Sequence, residues 1–454
     1  FPQAVQVMAD ARQKFEGQLN GDAERKEWVP LLRYHHGVCL FEGGKVGEAK
    51  GAFEQAVQAA AGKPIAAEAA LKACQCFAAE AKAKIAATEK EKEKPNLTPQ
   101  QQGDIENRVK QAKGELLGVA RMFERRAEEF KQAMPQAEAR ARLLYDAAWT
   151  FRAVGEDPTA AYTKLVTEFP DLSLAVEARL ELAELAADKG KPDDAIKMLK
   201  DALDKETTDK PAPPETLERI RIRLGGALFA KKEYPAAQGQ FDAVAANEKS
   251  PHRGQALYRS AECLMATGKH DEAAKKLVIF RDNGAFHNVP GVSDRAVLRL
   301  GHALSHLKQW EPARQAFEVL IQRYGGNNPW ATDARYGAAW ALQNQNRYDE
   351  AVNAYAQVAQ ATTDERAGKA HLQVGLCRAA QQKWAEAGKA FATVYYTFDT
   401  PELKFASLIE HARVLGEEKK TDEAVKLLER VLKDAPKDSE WAKAATERLG
   451  KMKK

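Results

Sequence analysis

The chain has 454 residues, of which 44% are hydrophobic and 30% are charged, a composition typical of folded proteins and not of disordered ones. Lys and Arg number 69 against 65 Asp and Glu, and the net charge of +4 is too small to indicate a nucleic-acid-binding protein. The sequence contains no apolar run of about 18 residues, and its five cysteines have irregular spacing. Transmembrane, collagenous and disulfide-rich proteins are therefore excluded.

Helical patterns fill the N-terminal region. Residues 1–61 are predicted to form a leading helix and one helix–turn–helix pair. An Ala-rich helix is expected over 64–94, with a purely charged end. Thr98 then precedes a proline and is a good N-cap for a second long helix over 99–132. We expect these two helices to form a projecting hairpin, and we divide the chain into an N-terminal region, 1–134, and a regular array, 135–454.

A three-part step recurs along the chain. A small residue is followed twelve positions later by Ala and, four positions after that, by a large apolar residue, as in Gly301, Ala313 and Phe317. The small residue lets a second helix approach the first closely, and the large one fills the space between this pair and the next. The large residues of the eight copies are Phe53, Leu199, Phe241, Leu277, Phe317, Tyr355, Phe391 and Leu428.

Turn-forming residues separate the helices of these pairs. Gly44, Gly190, Gly268 and Asn346 lie where a first helix must end and a second must begin. The segment 204–214 contains three prolines and is predicted to be a surface loop. The last segment, residues 439–452, is amphipathic, and we expect it to cap the final repeat with a polar outer face.

These features resemble the tetratricopeptide repeat superfamily, whose unit is about 34 residues. Residues 296–329 give the best match and 334–360 a nearly equal one; the resemblance covers 135–454 well and 28–61 once more. It implies an all-α fold, a right-handed α-solenoid of about ten helix–turn–helix units with a C-terminal capping helix. The chain departs from the family in its longer linkers, as at 283–292.

The sequence has few candidates for catalytic or metal-binding residues. The sequence has no GxGxxG, Walker, GxSxG, HExxH or CxxC motif. His302 and His306 share a helix face but lack a third metal ligand, and we interpret them as groove-lining side chains. His35, His36 and Cys39 also lack a four-ligand pattern. We therefore expect no catalytic residue, no metal and no cofactor, and we interpret the cysteines as buried thiols.

The resemblance also implies a binding groove, because first helices line the concave side of the family's solenoid. Aromatic residues and histidines at those positions are typical of partner hot spots, although they could instead pack between adjacent first helices. Trp340 is expected to face outward, because Ala338 and Ala339 occupy the packing positions. The predicted groove residues are Tyr145, Trp149, Tyr258, Leu298, His302, His306, Tyr336 and Trp340.

The leading functional hypothesis is a non-catalytic scaffold that binds protein or peptide partners through this groove. The Ala-rich units and the sequence Glu168-Phe169-Pro170 also resemble bacterial envelope repeat proteins. This implies envelope assembly, and it favours the periplasm over the cytoplasm. A self-associating coat or lattice is the alternative, and a metal-dependent enzyme using His302 and His306 is a remote one. We expect neither nucleic-acid binding nor membrane insertion, because acidic residues interleave with the basic ones. The chain lacks an initiator Met, so we expect that a leader preceded Phe1.

Overall fold

The computed structural model describes residues 1–204, 212–325 and 327–452, and in this part of the chain every regular element is a helix. The all-α solenoid predicted from the repeats is thereby confirmed. The loop predicted at 204–214 falls largely outside the described residues. None of the described helices is both long and apolar enough to cross a bilayer.

Internal contacts divide the chain into two compact units, Phe1–Ala227 and Leu228–Lys454. The domain boundary expected after residue 134 remains a prediction. The helices that begin in the first unit are α1 (Pro2–Gly21), α2 (Trp28–Glu42), α3 (Val46–Ala59), α4 (Pro64–Lys90), α5 (Pro99–Glu129), α6 (Glu138–Ala153), α7 (Thr159–Glu168), α8 (Ser173–Asp188), α9 (Pro192–Asp204) and α10 (Pro214–Ala230).

The second unit continues the series with helices of similar length. They are α11 (Tyr234–Ala245), α12 (Arg253–Ala266), α13 (His270–Asp282), α14 (Ser293–His306), α15 (Trp310–Tyr324), α16 (Ala331–Asn344), α17 (Tyr348–Ala361), α18 (Glu365–Ala380), α19 (Trp384–Thr397), α20 (Pro401–Glu417), α21 (Thr421–Asp434) and α22 (Glu440–Met452). From α2 to α21 the described helices form ten successive pairs, and Leu449 of α22 packs on the core of the last pair.

The three-part sequence step determines how the pairs pack. Phe317 of α15 is buried against Gly301 of α14 and Gly337 of α16, so one ring fills the space between its own pair and the next. A Cβ atom on Gly301 would lie 2.4 Å from the Phe317 ring, and one on Gly337 would lie 2.5 Å from it. Gly375 and Phe391 repeat this contact. Only a small residue permits such close approach of two helices.

The turns within the pairs share one backbone feature. In eight of the described pairs, the residue two positions before the second helix has a positive φ, between 57° and 76°. A single left-handed residue at this point reverses the chain within a short turn. Glycine adopts this conformation without strain, whereas Lys does not. The eight residues are Gly44, Gly190, Lys232, Gly268, Lys308, Asn346, Gln382 and Lys419.

The long helices α4 and α5 pack against each other and are joined by a short connection. Thr98 caps α5 as predicted: its Oγ1 accepts from the Gln101 backbone N–H at 3.3 Å, while the Gln101 side chain accepts from the Thr98 N–H at 2.9 Å. Lys84 and Glu115 form an ion pair at 2.6 Å across the two helices. The helices therefore end near the predicted positions because capping and chain breaks are local properties.

Candidate functional site

Two adjoining cavities lie on the first helices of three consecutive pairs in the second unit. The first has a volume of about 270 Å³ and is lined by His302, Ser305 and His306 of α14, Phe317 of α15, and Asp333, Tyr336, Gly337 and Trp340 of α16. The second has a volume of about 370 Å³ and is lined by Tyr258, Arg259 and Glu262 of α12, Arg295, Leu298, Arg299 and His302 of α14, Trp330, and Asp333 of α16.

The helical repeat explains why these side chains converge. Asp333, Tyr336 and Trp340 are three and four residues apart along α16, and this spacing places them on one face of the helix. Leu298 and His302 are likewise four apart on α14. The two cavities have His302 and Asp333 in common, so they form adjoining parts of one continuous surface.

Ring contacts hold the walls of the first cavity in place. The Trp340 ring meets the Trp310 ring nearly edge-on at a centroid distance of 5.2 Å. The Tyr336 ring contacts Tyr355 at 5.3 Å in a similar geometry. Edge-to-face pairs of this kind are stabilising and restrict ring rotation. Trp340 nevertheless remains 38% exposed, so part of its ring is accessible to a partner.

His302 and His306 both line the first cavity, but their surroundings differ. Burial, assisted by the positive charge of Arg299 and by His306, lowers the pKa of His302 to about 4. The imidazole of His302 is therefore neutral at neutral pH. The His306 ring stacks on His270 with a centroid distance of 4.2 Å and an interplanar angle of 3°. Burial and the neighbouring His306 also lower the pKa of His270.

The second cavity is lined by three guanidinium groups and two carboxylates. Glu262 accepts hydrogen bonds from Arg259 and from the Tyr258 hydroxyl, both at 2.8 Å. Arg299 lies 3.8 Å from the same carboxylate. Burial and the charge of Glu262 raise the pKa of Tyr258, so its hydroxyl stays protonated and donates. The Asp333 carboxylate lies 3.7 Å from the guanidinium of Arg366, which Asp364 binds more closely at 2.7 Å.

Six of the eight predicted groove residues lie around these cavities: Tyr258, Leu298, His302, His306, Tyr336 and Trp340. The other two, Tyr145 and Trp149, lie on α6 in the first unit, with their ring centroids 6.3 Å apart. There the Tyr145 hydroxyl donates to Glu177 at 3.0 Å, and Trp149 is 44% exposed. Their role in binding remains a prediction.

Several residues of the surface were missed by sequence reasoning. Asp333 could have been found, because it shares its helix face with Tyr336 and Trp340. Phe317 was assigned to the core, yet one side of its ring also lines the first cavity. Trp330 precedes α16 in the chain, so the first-helix pattern could not identify it.

The first cavity has the size of a protein side chain. The first cavity, at about 270 Å³, is larger than the roughly 150 Å³ that holds a benzene molecule and smaller than most small-molecule sites of about 300–1,000 Å³. Within the described residues, no three His, Cys, Asp or Glu side chains converge in a geometry that would hold a metal ion. The arrangement offers non-covalent contacts to apolar and acidic groups.

Comparison with known proteins identifies the repeats. One family model described as tetratricopeptide repeat matches residues 222–278 and 336–401, and a second with the same description matches 295–327 and 406–438. No curated protein matches the sequence.

Solved structures of repeat proteins are similar to parts of the chain. A tetratricopeptide repeat protein from Parabacteroides merdae shares 16% identity and a TM-score of 0.40, covering 62% of this chain and 99% of that one. The protein YrrB, described as having an unusual peptide-binding site, shares 16% identity with a TM-score of 0.36, covering 45% and 94%. A signal transduction ATPase from Pyrococcus horikoshii with a tetratricopeptide repeat sensor shares 17% identity with a TM-score of 0.42, covering 79% and 56%.

Proposed function

Because the chain belongs to the tetratricopeptide repeat superfamily, we propose that it is a non-catalytic scaffold whose cavities on α12, α14 and α16 bind a segment of a partner protein. The observation that carries this proposal is the convergence of Trp340, Tyr336 and His306 around a cavity of side-chain size. Tryptophan, tyrosine and arginine are the residues most enriched in binding hot spots.

The accessibility of Trp340 supports the same function. The exposed part of the Trp340 ring is apolar surface beside a preformed cavity, and a partner that covers it removes this surface from water. Trp340 is fixed from behind by Trp310, so little conformational entropy is lost when a ligand covers its exposed part. A rigid aromatic wall beside a preformed cavity favours recognition of one protruding side chain.

Selection of peptides from a random phage-displayed library on the purified chain tests this function. We expect enriched peptides to bind the parent protein, and Trp340→Ala to weaken their binding by about thirty-fold, the effect of losing a hot spot worth about 2 kcal/mol. Fluorescence anisotropy of a labelled peptide measures the change, and circular dichroism verifies the helicity of each variant.

Tyr396→Ala is the matched control, because Tyr396 is an aromatic side chain with 75% exposure that lies on α19, away from the cavities. We expect this variant to bind the selected peptides as the parent does. If the peptides bind Trp340→Ala with parental affinity, or if no peptide is enriched, the cavities are not the binding surface.

We also propose, on narrower grounds, a place in bacterial cell-envelope assembly. Its support is the sequence resemblance of the Ala-rich repeats and of Glu168-Phe169-Pro170 to envelope repeat proteins. Fractionation of the source cells followed by immunoblotting tests it, and recovery of the protein only with cytoplasmic markers would refute a periplasmic location. The alternative of a self-assembling coat predicts larger species at higher protein concentration in sedimentation velocity experiments.

A further inference from the structure

The first cavity is suited to an uncharged, apolar side chain. Its walls include the rings of Phe317, Tyr336 and Trp340, and His302 contributes a neutral imidazole at neutral pH. The carboxylate in its lining, Asp333, lies at the border with the second cavity, 3.7 Å from the guanidinium of Arg366 on α18. The aromatic walls and the neutral imidazole offer no charge that would compensate a buried ammonium or carboxylate group, so an apolar side chain fits them best.

The second cavity has the opposite character, because positive charge exceeds negative charge in its lining. Three guanidinium groups face two carboxylates, and a fourth guanidinium, that of Arg366, lies 3.7 Å from Asp333. Arg295 is exposed and stacks over Trp330 at 5.3 Å, and it forms no ion pair with any residue that the structure describes. Arg299 is 44% exposed and lies 3.8 Å from Glu262, which Arg259 binds more closely at 2.8 Å, so Arg299 is available to a second anion. A carboxylate would complement this surface.

For a partner segment that binds in extended form, chain geometry gives the spacing of the two side chains. The cavities adjoin through His302 and Asp333, so their occupants must be close neighbours in the ligand. In an extended segment, residues i and i+2 project to the same side and are about 6.6 Å apart along the chain, whereas i and i+1 point to opposite sides. Two side chains that enter adjoining cavities of one surface are therefore expected at positions i and i+2.

We infer that the partner segment carries an aromatic or large aliphatic side chain two residues away from an Asp or Glu. The apolar side chain enters the cavity beside Trp340, and the carboxylate binds Arg295 and Arg299. This inference rests on the proposed function of the surface and specifies the chemistry of its ligand.

Synthetic nine-residue peptides in a Gly/Ser background test the inference by fluorescence anisotropy with the full chain. In the first series, a central Phe is combined with Asp, Asn or Lys two positions before it, and in the second series the same residues lie two positions after it. A further peptide in each series keeps the Asp but has Ala in place of the Phe. In one of the two series, we expect the Phe/Asp peptide to bind about ten-fold more tightly than Phe/Asn, the effect of one charge-assisted hydrogen bond. Phe/Lys and Ala/Asp should bind more weakly still.

Arg295→Glu should reverse this preference, so that Phe/Lys binds better than Phe/Asp. Arg299→Gln, which leaves Glu262 bound to Arg259, should reduce the difference between Phe/Asp and Phe/Asn, because Arg295 alone remains to bind the carboxylate. The matched control is Arg142→Glu, the same change of charge at an exposed position on α6 in the first unit, and it should leave the order of the peptides unchanged.

The outcomes separate the inference from the function on which it rests. If Phe/Asp and Phe/Asn bind equally in both series while binding still requires Phe and Trp340, the acidic requirement is refuted and the binding surface stands. If neither the synthetic nor the selected peptides depend on Trp340, both are refuted. If sedimentation shows a dimer that Trp340→Ala dissociates, a second copy of the chain is the occupant and the inference is overturned.

Discussion

The close approach of Gly301 to Phe317 gives a quantitative test of the repeat packing. In Gly301→Ala the new Cβ would lie 2.4 Å from the Phe317 ring, about 1 Å closer than ordinary van der Waals contact. The ring is 1% exposed and also contacts Gly337, so any movement that relieves the clash must carry it out of its packed position and towards the first cavity, which it lines. Overpacking of such a site costs about 3 kcal/mol, while replacing Gly by Ala within a helix returns about 1 kcal/mol.

We therefore expect Gly301→Ala to lower the free energy of unfolding by about 2 kcal/mol. Urea denaturation followed by far-UV circular dichroism measures this loss. Gly239→Ala is the matched control within the same unit, because Gly239 is an exposed residue inside α11 and a Cβ atom added to it would meet no neighbouring side chain within 4 Å. The control should gain about 0.5–1 kcal/mol from helix propensity alone.

The steric origin of the loss can be separated from other causes by a second substitution. Phe317→Leu shortens the side chain that the new methyl group would meet, so it should recover part of the stability of Gly301→Ala. The double variant should be more stable than the sum of the two single effects by about 0.5–3 kcal/mol. If Gly301→Ala is as stable as the Gly239→Ala control, or if the two effects are additive, the Phe317 ring does not oppose a methyl group at position 301.

Three further predictions concern single residues. Burial lowers the pKa of His302 to about 4 from an ordinary 6.5. The contribution of neutral His302 to the free energy of unfolding is therefore complete above pH 6.5 and is lost as the pH falls towards 4. Urea titrations at pH 7.5 and 4.5 should show that His302→Gln reduces the acid-induced loss of stability by about 2–3 kcal/mol. Lys308→Gly should raise the free energy of unfolding by about 1 kcal/mol in the same assay, because Lys308 has a φ of 57°. A thiol reagent should label only Cys39 rapidly in the native protein, because the four other cysteines are buried, and burial raises the pKa of each of those thiols to about 11 or 12.

Much of the fold could be predicted because its determinants are local. The cap at Thr98 and the turn at Asn346 depend on residues only a few positions apart. The packing of Phe317 between two helix pairs was also predictable, because the step from Gly301 through Ala313 recurs along the chain. Because each pair packs on its neighbour in the same way, contacts between residues far apart in the sequence can be predicted from the repeat.

Less of the candidate site could be predicted from the sequence. The helical period assigned Tyr336 and Trp340 to one face of α16 and Tyr145 and Trp149 to one face of α6, but it could not show which of these faces borders a cavity. It could not show that Trp310 supports the Trp340 ring from behind, because that contact joins a second helix to the following first helix.

The helix pairs, their turns and the small residues on which they pack follow from spacing along one chain, so they can be predicted from the order of residues. The neutral state of His302, its place beside both cavities, and the shared space of Arg295, Arg299 and Trp330 could not be predicted in this way. Burial, electrostatic environment and cavity shape depend on side chains from several helices at once, whereas periodicity specifies only the face on which each side chain lies.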